Sequence, residues 1–495
     1  MSIVCIDHGL GHAEIDATAE SVTRQIDQDC ELLVALPSEI RDTLGRARGR
    51  WLMLVDAGDR IRPHAIAQLA AATDADAAVD CVYSDESGPD ASGAEQPFYK
   101  PDWSPDRLRC QPYLGRAVLV RRDLIDEAGG WRPELGRVAE FDLMLRVGEL
   151  SRRVAHVAHP LCRRRGPQPE FLSFAPEDVD AGCRVVDEHL ARTGIAARAR
   201  PHASASGLLR LEPVLVRRPL VSVIVPTAGT RRVVRGSEIS LVDCCVQSVL
   251  TRSTYAEIEV ICVVDASVDD DTRARLVGLD PARVRLVDFS EPFNFARKIN
   301  RGVVASRGEV LVLLNDDTEV REPGWLEAML VYALDPEVGA VGARLLFADD
   351  RIQHAGVAGV RGNPGHPYYG LPADTVGHGG NALVPSDVLA VTAACLMTSR
   401  ACFESVGGLS GSFPVNYNDI DYCLKLRQNG LRIVVTPDAV LYHHESSSRS
   451  GEVAPDELAL VRRRWGRWLR DDPFYGPNFP SGNADFVPAP APSSP

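Results

Sequence analysis

Asn315-Asp316-Asp317 follows an apolar run, which places two carboxylates side by side where a strand should end. Charges so close repel, and a divalent cation shared with phosphate oxygens relieves that repulsion, although a solvated turn has the same composition. Asn418-Asp419-Ile420-Asp421 precedes a helical pattern closed by Gly430. With Asn418 as N-cap, Asp419 falls in the first turn, where the helix terminus favours an ionised carboxylate, the state a general base needs. His443 and His444 close a strand pattern, as structural side chains or as a cation ligand. Arg297, Lys298 and Asn300 start a helix where a diphosphate could be met.

These residues need a scaffold that gathers them. Val221–Pro226, Ile258–Asp265, Val284–Phe289 and Glu309–Asp316 are apolar runs of strand length, separated by helical patterns over 238–250, 269–279 and 293–306. Alternation of this kind makes βαβ units and a mostly parallel sheet, whose ligands bind beyond the carboxyl ends of the strands. Pro226, Thr227, Asp265 and Asn315 to Asp317 fall at those ends. Trp325 to Leu334 forms the next helix, and 351–387, rich in Gly, Pro and His, is a candidate acceptor lid. Candidate acceptor contacts are Trp325, Tyr368, Tyr369, Asn418 and Asp421.

The first half repeats the plan in outline. Gly49 to Asp56 mirrors Gly308 to Asn315, Gly129-Gly130 mirrors Gly407-Gly408, and Glu140-Phe141-Asp142 mirrors Asp419-Ile420-Asp421, in the same order. Matched order indicates two copies of one α/β fold. The expected division is a first unit over 1–200, a basic, Pro-punctuated linker over 201–219, a second unit over 220–475 and a tail over 476–495, disordered from about 488.

The whole chain has 495 residues, 45% of them apolar and 25% charged, in the range of globular proteins. Its 68 acidic and 54 basic side chains leave a formal charge of −14, which argues against general attraction to nucleic acid. Twelve cysteines show no paired metal-ligand spacing and read as reduced core thiols. The N-terminus does not read as a signal peptide, and no apolar run is long enough to span a bilayer. The expected location is the cytoplasm. The basic amphipathic pattern from Leu458 to Arg470 could lie on anionic lipid, giving peripheral contact at the inner face of the plasma membrane, or pack on the protein.

Taken together, Val221 to Thr227, Val264-Asp265 with Ser267 and Asp269, Leu314 to Val320, Gly407-Gly408, Asn418 to Asp421 and Tyr442 to Ser446 resemble family-2 glycosyltransferases of the GT-A fold. The likeness is greatest to tandem-domain, rhamnosyltransferase-like enzymes of bacterial surface polysaccharide synthesis. The resemblance implies inverting transfer from a nucleotide diphosphate sugar to a glycan or polyprenyl-linked acceptor. It implies that Thr227 and Asp265 meet the nucleoside of the donor, and that Pro226, Lys298, Asn300, Asn315 and Asp316 belong to the same donor site. Asp317 and His443 would hold Mg²⁺ or Mn²⁺, and Asp419 would act as base. Asn315 stands where the family has the first Asp of its DxD. In the first half, Tyr83 to Glu86 and Lys100 to Asp106 also look like family segments, yet Gly58, Glu140 and Arg163 replace Asp317, Asp419 and His443. That half is expected to be truncated, degenerate and non-catalytic.

Two other readings stay open at this stage. A sugar-nucleotide pyrophosphorylase needs a Gly-rich loop and a lysine after the first strand, which Ala228 to Arg232 imitates in part. A tandem carbohydrate-binding scaffold needs no catalytic residues.

Overall fold

The computed structural model describes all residues except 27–28, 91, 168–171, 235–236, 445–454, 480–481 and 489–495. Glu445 and Ser446, and most of the tail expected to be disordered, therefore lie outside the described residues.

The second half is built on a sheet whose strands run in the order Val284–Phe289, Ile258–Asp265, Val221–Thr227, Val310–Leu314, Cys395–Ser399, Val338–Leu346, Arg432–His443 and Thr318–Val320. All are parallel except Cys395–Ser399 and Thr318–Val320, which run against their neighbours. Val221–Thr227 and Val310–Leu314 are buried along their length, as strands covered on both faces must be, and this is why they read as unbroken apolar runs. Polar side chains start the helices between them. Asp269 accepts from Thr272 N–H at 2.7 Å and Asn294 from Arg297 N–H at 3.0 Å, each satisfying a donor left open at a helix start.

The first half repeats this sheet. Its order is Glu31–Ala35, Ser2–Ile6, Trp51–Asp56, Leu119–Arg121, Val79–Pro89, Arg153–Arg163 and Arg60–Ile61, with the same pattern of directions. No counterpart of Val284–Phe289 is present among the described residues, which accounts for the shorter stretch before Asp56.

The two sheets share one packed interior. The expected linker folds as a hairpin of Ala197–Pro201 and Leu209–Pro213, with Leu208, Leu209 and Leu211 buried. Its arginines and prolines masked an alternating apolar pattern, so it is a packed element instead of a tether. The family-like segments of the first half build the junction. Lys100 Nζ lies 3.1 Å from Glu86 Oε2, both buried, and Tyr83 donates to Pro101 O at 2.6 Å. Ser104 Oγ donates to Asp387 Oδ2 at 2.7 Å, and Asp106 pairs with Arg432.

The 351–387 segment is held at this junction as well, which corrects its reading as a lid. It contains the short hairpin Ala358–Val360 and Asn363–Gly365. His378 Nε2 lies 2.8 Å from Tyr99 O, and Gly379 O accepts from Arg107 at 2.6 Å. Tyr475, together with Phe479 and Ala484 of the tail, buries against Ala358 and Val360. Helix Pro455–Arg470 turns Val461, Trp465 and Leu469 into the core. Its apolar stripe is thereby covered, which removes the basis for expecting it to lie on lipid. No helix among the described residues is long and apolar enough to cross a membrane.

Candidate active site

Thr318–Val320 pairs antiparallel with the end of Arg432–His443, with Thr318 opposite His443, and His444 N–H donates to Asp317 O at 2.8 Å. That pairing carries Asp317 from the end of one strand onto the end of another. Asp317 Oδ1 lies 3.0 Å from His443 Nε2, and Asp317 is only 7% exposed. Asn315 Nδ2 stands 3.3 Å from the same ring nitrogen, while Gln353 Oε1 is 2.5 Å from Nδ1.

The neighbouring strand ends supply a second group. Thr227 Oγ1 donates to Asp316 Oδ2 at 2.6 Å and accepts from Gly229 N–H at 3.0 Å. Lys298 Nζ lies 2.8 Å from Asp265 Oδ1 and donates to Thr227 O at 2.9 Å. At 2% exposure this amine braces the strand ends and does not reach out to a diphosphate, a correction to its expected role. Pro226 is buried within its strand, so it shapes the position of Thr227 without presenting a surface. Asn300 bonds both backbone groups of Leu409, donating to its carbonyl at 2.9 Å and accepting from its N–H at 3.0 Å. It anchors the Gly407-Gly408 turn, where both glycines have positive φ and a Cβ on Gly408 would meet Asn300 Oδ1 at 2.8 Å.

Asp419 reaches the same end of the sheet from helix Asn418–Gln428. Its Oδ1 accepts from Ile420 N–H at 2.8 Å and its Oδ2 from Ala393 N–H at 3.2 Å. The next residue, Ala394, accepts from Asn315 N–H at 3.1 Å, which ties the Asp419 carboxylate to the Asn315–Asp317 turn through two adjacent residues. The N-cap is Tyr417, at φ 61°, and not Asn418, whose side chain donates to Val415 O at 3.1 Å.

Several expected acceptor contacts are committed elsewhere. Trp325 is 0% exposed and donates to Ser253 Oγ at 2.9 Å. Tyr368 is buried, donates to Asn381 Oδ1 at 2.6 Å and accepts from His378 N–H at 2.9 Å. Buried Asp421 accepts from Trp465 Nε1 at 2.8 Å and Arg464 at 3.0 Å, fastening two helices together. Tyr369 is exposed, edge-on to Phe347.

The corresponding end of the first sheet holds a different set of charges. The Arg116 guanidinium pairs with Asp56, with Glu140 at 2.6 Å and with Asp59 at 3.7 Å. Burial pushes the Asp59 and Glu140 carboxyls up despite Arg116, while at Asp56 the His8 hydrogen bond and Arg116 outweigh burial and hold the carboxyl down. Gly58, at φ 95°, has no side chain to offer a cation. Ile61 pairs with Cys162 as Val320 pairs with Leu441, so the register sets Arg164, not Arg163, in the place of His443.

Among the described residues no group of three or more His, Cys, Asp and Glu side chains gathers to hold a metal ion. Asp317 and His443 form a two-donor edge of carboxylate oxygen and imidazole nitrogen. Carboxylate oxygen and imidazole nitrogen are donor types suited to a divalent cation. Of the residues expected from the sequence, the structure joins Thr227 to Asp316, Lys298 to Asp265 and Asp317 to His443, and bonds Asp419 to Ala393. Gln353, which contacts the His443 ring, was not among them; it carries no signal beyond one polar residue in a short strand.

The family profile described as Glycosyltransferase like family 2 matches residues 218–470, just over half of the chain. O-antigen biosynthesis protein RfbC of Myxococcus xanthus is 37% identical over 441 residues, 87% of this chain and 34% of its own length. Protein y4gI of Sinorhizobium fredii is 36% identical over 463 residues, 89% of this chain and 50% of its own length. The chain thus spans a third to a half of these curated relatives. A solved mannosyltransferase, PcManGT from Pyrobaculum calidifontis in complex with GDP-Man and Mn²⁺, gives a TM-score of 0.35 at 18% identity, over 52% of this chain and 73% of its own. With the profile match spanning the sheet, the Asp317–His443 pair and Asp419, the chain belongs to the glycosyltransferase like family 2.

Proposed function

We propose that this chain transfers a hexose, with inversion, from a nucleotide diphosphate sugar to a hydroxyl of a glycan or polyprenyl-linked acceptor during synthesis of cell-surface polysaccharide. The observation that carries this reading is the 3.0 Å pair of Asp317 and His443, with the adjacent Asp316 bonded to Thr227 and the Asp419 carboxylate bonded to Ala393, next to the residue that Asn315 bonds. The O-antigen biosynthesis name of the Myxococcus relative supports the polysaccharide setting.

In this reading Thr227, Asp316 and Asp265, the last braced by Lys298, form the nucleoside end of the donor site. Asp317 and His443 would hold Mg²⁺ or Mn²⁺, which would supply positive charge against the departing diphosphate. Asp419 takes the proton of the acceptor hydroxyl as the acceptor oxygen bonds to the anomeric carbon. The bond from that carbon to the diphosphate oxygen breaks on the opposite face, so the configuration inverts. The two backbone N–H donors to Asp419 hold its carboxylate in place.

Residues 1–200 and 220–475 are read as tandem GT-A-like units joined by 201–219 and closed by the tail from 476. The first unit positions the second, its acceptor or a partner. Arg116 supports that assignment, because its guanidinium already fills the place among Asp56, Asp59 and Glu140 where a cation would bind. A cytoplasmic location is supported by twelve free thiols, as a reducing compartment keeps them.

The test is to incubate the full chain with a panel of nucleotide diphosphate sugars, Mn²⁺ and surface-glycan fragments, and to follow release of nucleoside diphosphate. Donor-dependent release that disappears in Asp419→Asn is expected. Pyrophosphate release from nucleoside triphosphates, or consumption of no donor, contradicts the reading.

A further inference from the structure

We propose that Gln353 is a positioning residue that fixes the tautomer and ring orientation of His443, so that the unprotonated side of the ring, Nε2, is turned toward Asp317. This rests on the reading that Asp317 and His443 share a divalent cation.

Gln353 lies in the Ile352–His354 strand, antiparallel to Val338–Leu346, and is 6% exposed. Its amide grips one residue twice. Oε1 is 2.5 Å from His443 Nδ1, and Nε2 donates to His443 O at 3.4 Å. The second bond sets the direction of the amide, because a flip would place two oxygens face to face. A carboxamide oxygen only accepts, so the Nδ1 beside it carries the proton, and Nε2 of the neutral ring is left as acceptor. Asn315 Nδ2, 3.3 Å away, is a donor suited to that form of the ring. The Nε2 lone pair and the Asp317 carboxylate then meet across 3.0 Å, an arrangement that suits a cation shared between them.

Without Gln353 the ring is free to carry its proton on Nε2 and donate to Asp317, which closes the cation position. A partner that orients a ligating imidazole in this way is worth about 10- to 100-fold in metal affinity.

Mn²⁺ binding to the full chain, read from the paramagnetic resonance of free Mn²⁺, tests the inference without any turnover. Gln353→Leu should weaken binding by about 10- to 100-fold. In a His443→Ala background, Gln353→Leu should add nothing, as it must if Gln353 acts only through that ring. Parent-like affinity in Gln353→Leu overturns the proposal, and so does an equal further loss in the His443→Ala background, which marks a general structural role. If His443→Ala itself binds Mn²⁺ like the parent, the shared-cation reading falls, and the proposal falls with it.

Discussion

The Lys298 amine and the Asp265 carboxylate form an ion pair of 2.8 Å in which the lysine is almost wholly buried and the aspartate side chain is 23% exposed. The pair joins the helix Phe295–Ala305 to the carboxyl end of Ile258–Asp265, and the same amine reaches the carbonyl of Thr227. Removing the negative charge leaves a buried ammonium with only neutral partners. Asp265→Asn should therefore lower stability by about 3 kcal/mol, the scale for orphaning a buried charge. Urea denaturation of the two proteins checks this, and an unchanged midpoint would show that the pair does not brace the site.

Asp419→Asn keeps the shape of the side chain and its place at the helix start while removing the base. Transfer should fall by about 10²- to 10⁴-fold, with donor affinity unchanged. Single-turnover kinetics beside equilibrium donor binding separates the two effects.

The matching change in the first half, Glu140→Gln, should leave transfer within about twofold of the parent, because that residue faces Arg116 and no substrate in the proposed reaction. A loss comparable to that of Asp419→Asn would place chemistry in both halves.

The junction between the halves should respond to pH. Burial pushes the Asp387 carboxyl up to about 7 and that of Asp472 up to about 6, in spite of the hydrogen bonds each accepts. In the unfolded chain such groups ionise near pH 4. Between that value and the native one the unfolded state has lost its proton while the native state keeps it. Stability is therefore greatest below about pH 4 as far as these two groups decide it, and it falls as pH rises to about 7. Urea midpoints from pH 4 to 8 should show this decline in the parent and a shallower one in Asp387→Asn, which no longer titrates. Superimposable profiles would contradict the assignment.

The ends of the central strands were legible because unbroken apolar runs set where each strand stops, and Thr227, Asp265 and Asp317 stand at those stops. His443 and Asp419 were legible from motif order. The meeting of His443 with Asp317 depends on the pairing of Thr318 with His443, which no local pattern announces. Composition misled where polar groups serve the interior. Lys298 looked like a hand for phosphate and is a buried brace, while Tyr368 and Asp421 spend their oxygens on structural partners. The 351–387 segment read as a loose loop because glycine and proline are common in loops. Here they serve a hairpin and the junction between halves, and the same stretch hid Gln353.

The most direct measurement of the central claim is donor affinity with and without Mn²⁺, by calorimetry, in the parent and in Asp317→Ala. The parent should bind one class of nucleotide diphosphate sugar at least about tenfold more tightly with Mn²⁺, and Asp317→Ala should lose that gain while remaining folded. A Mn²⁺-dependent gain of the same size in Asp317→Ala would contradict a cation held by Asp317 and His443.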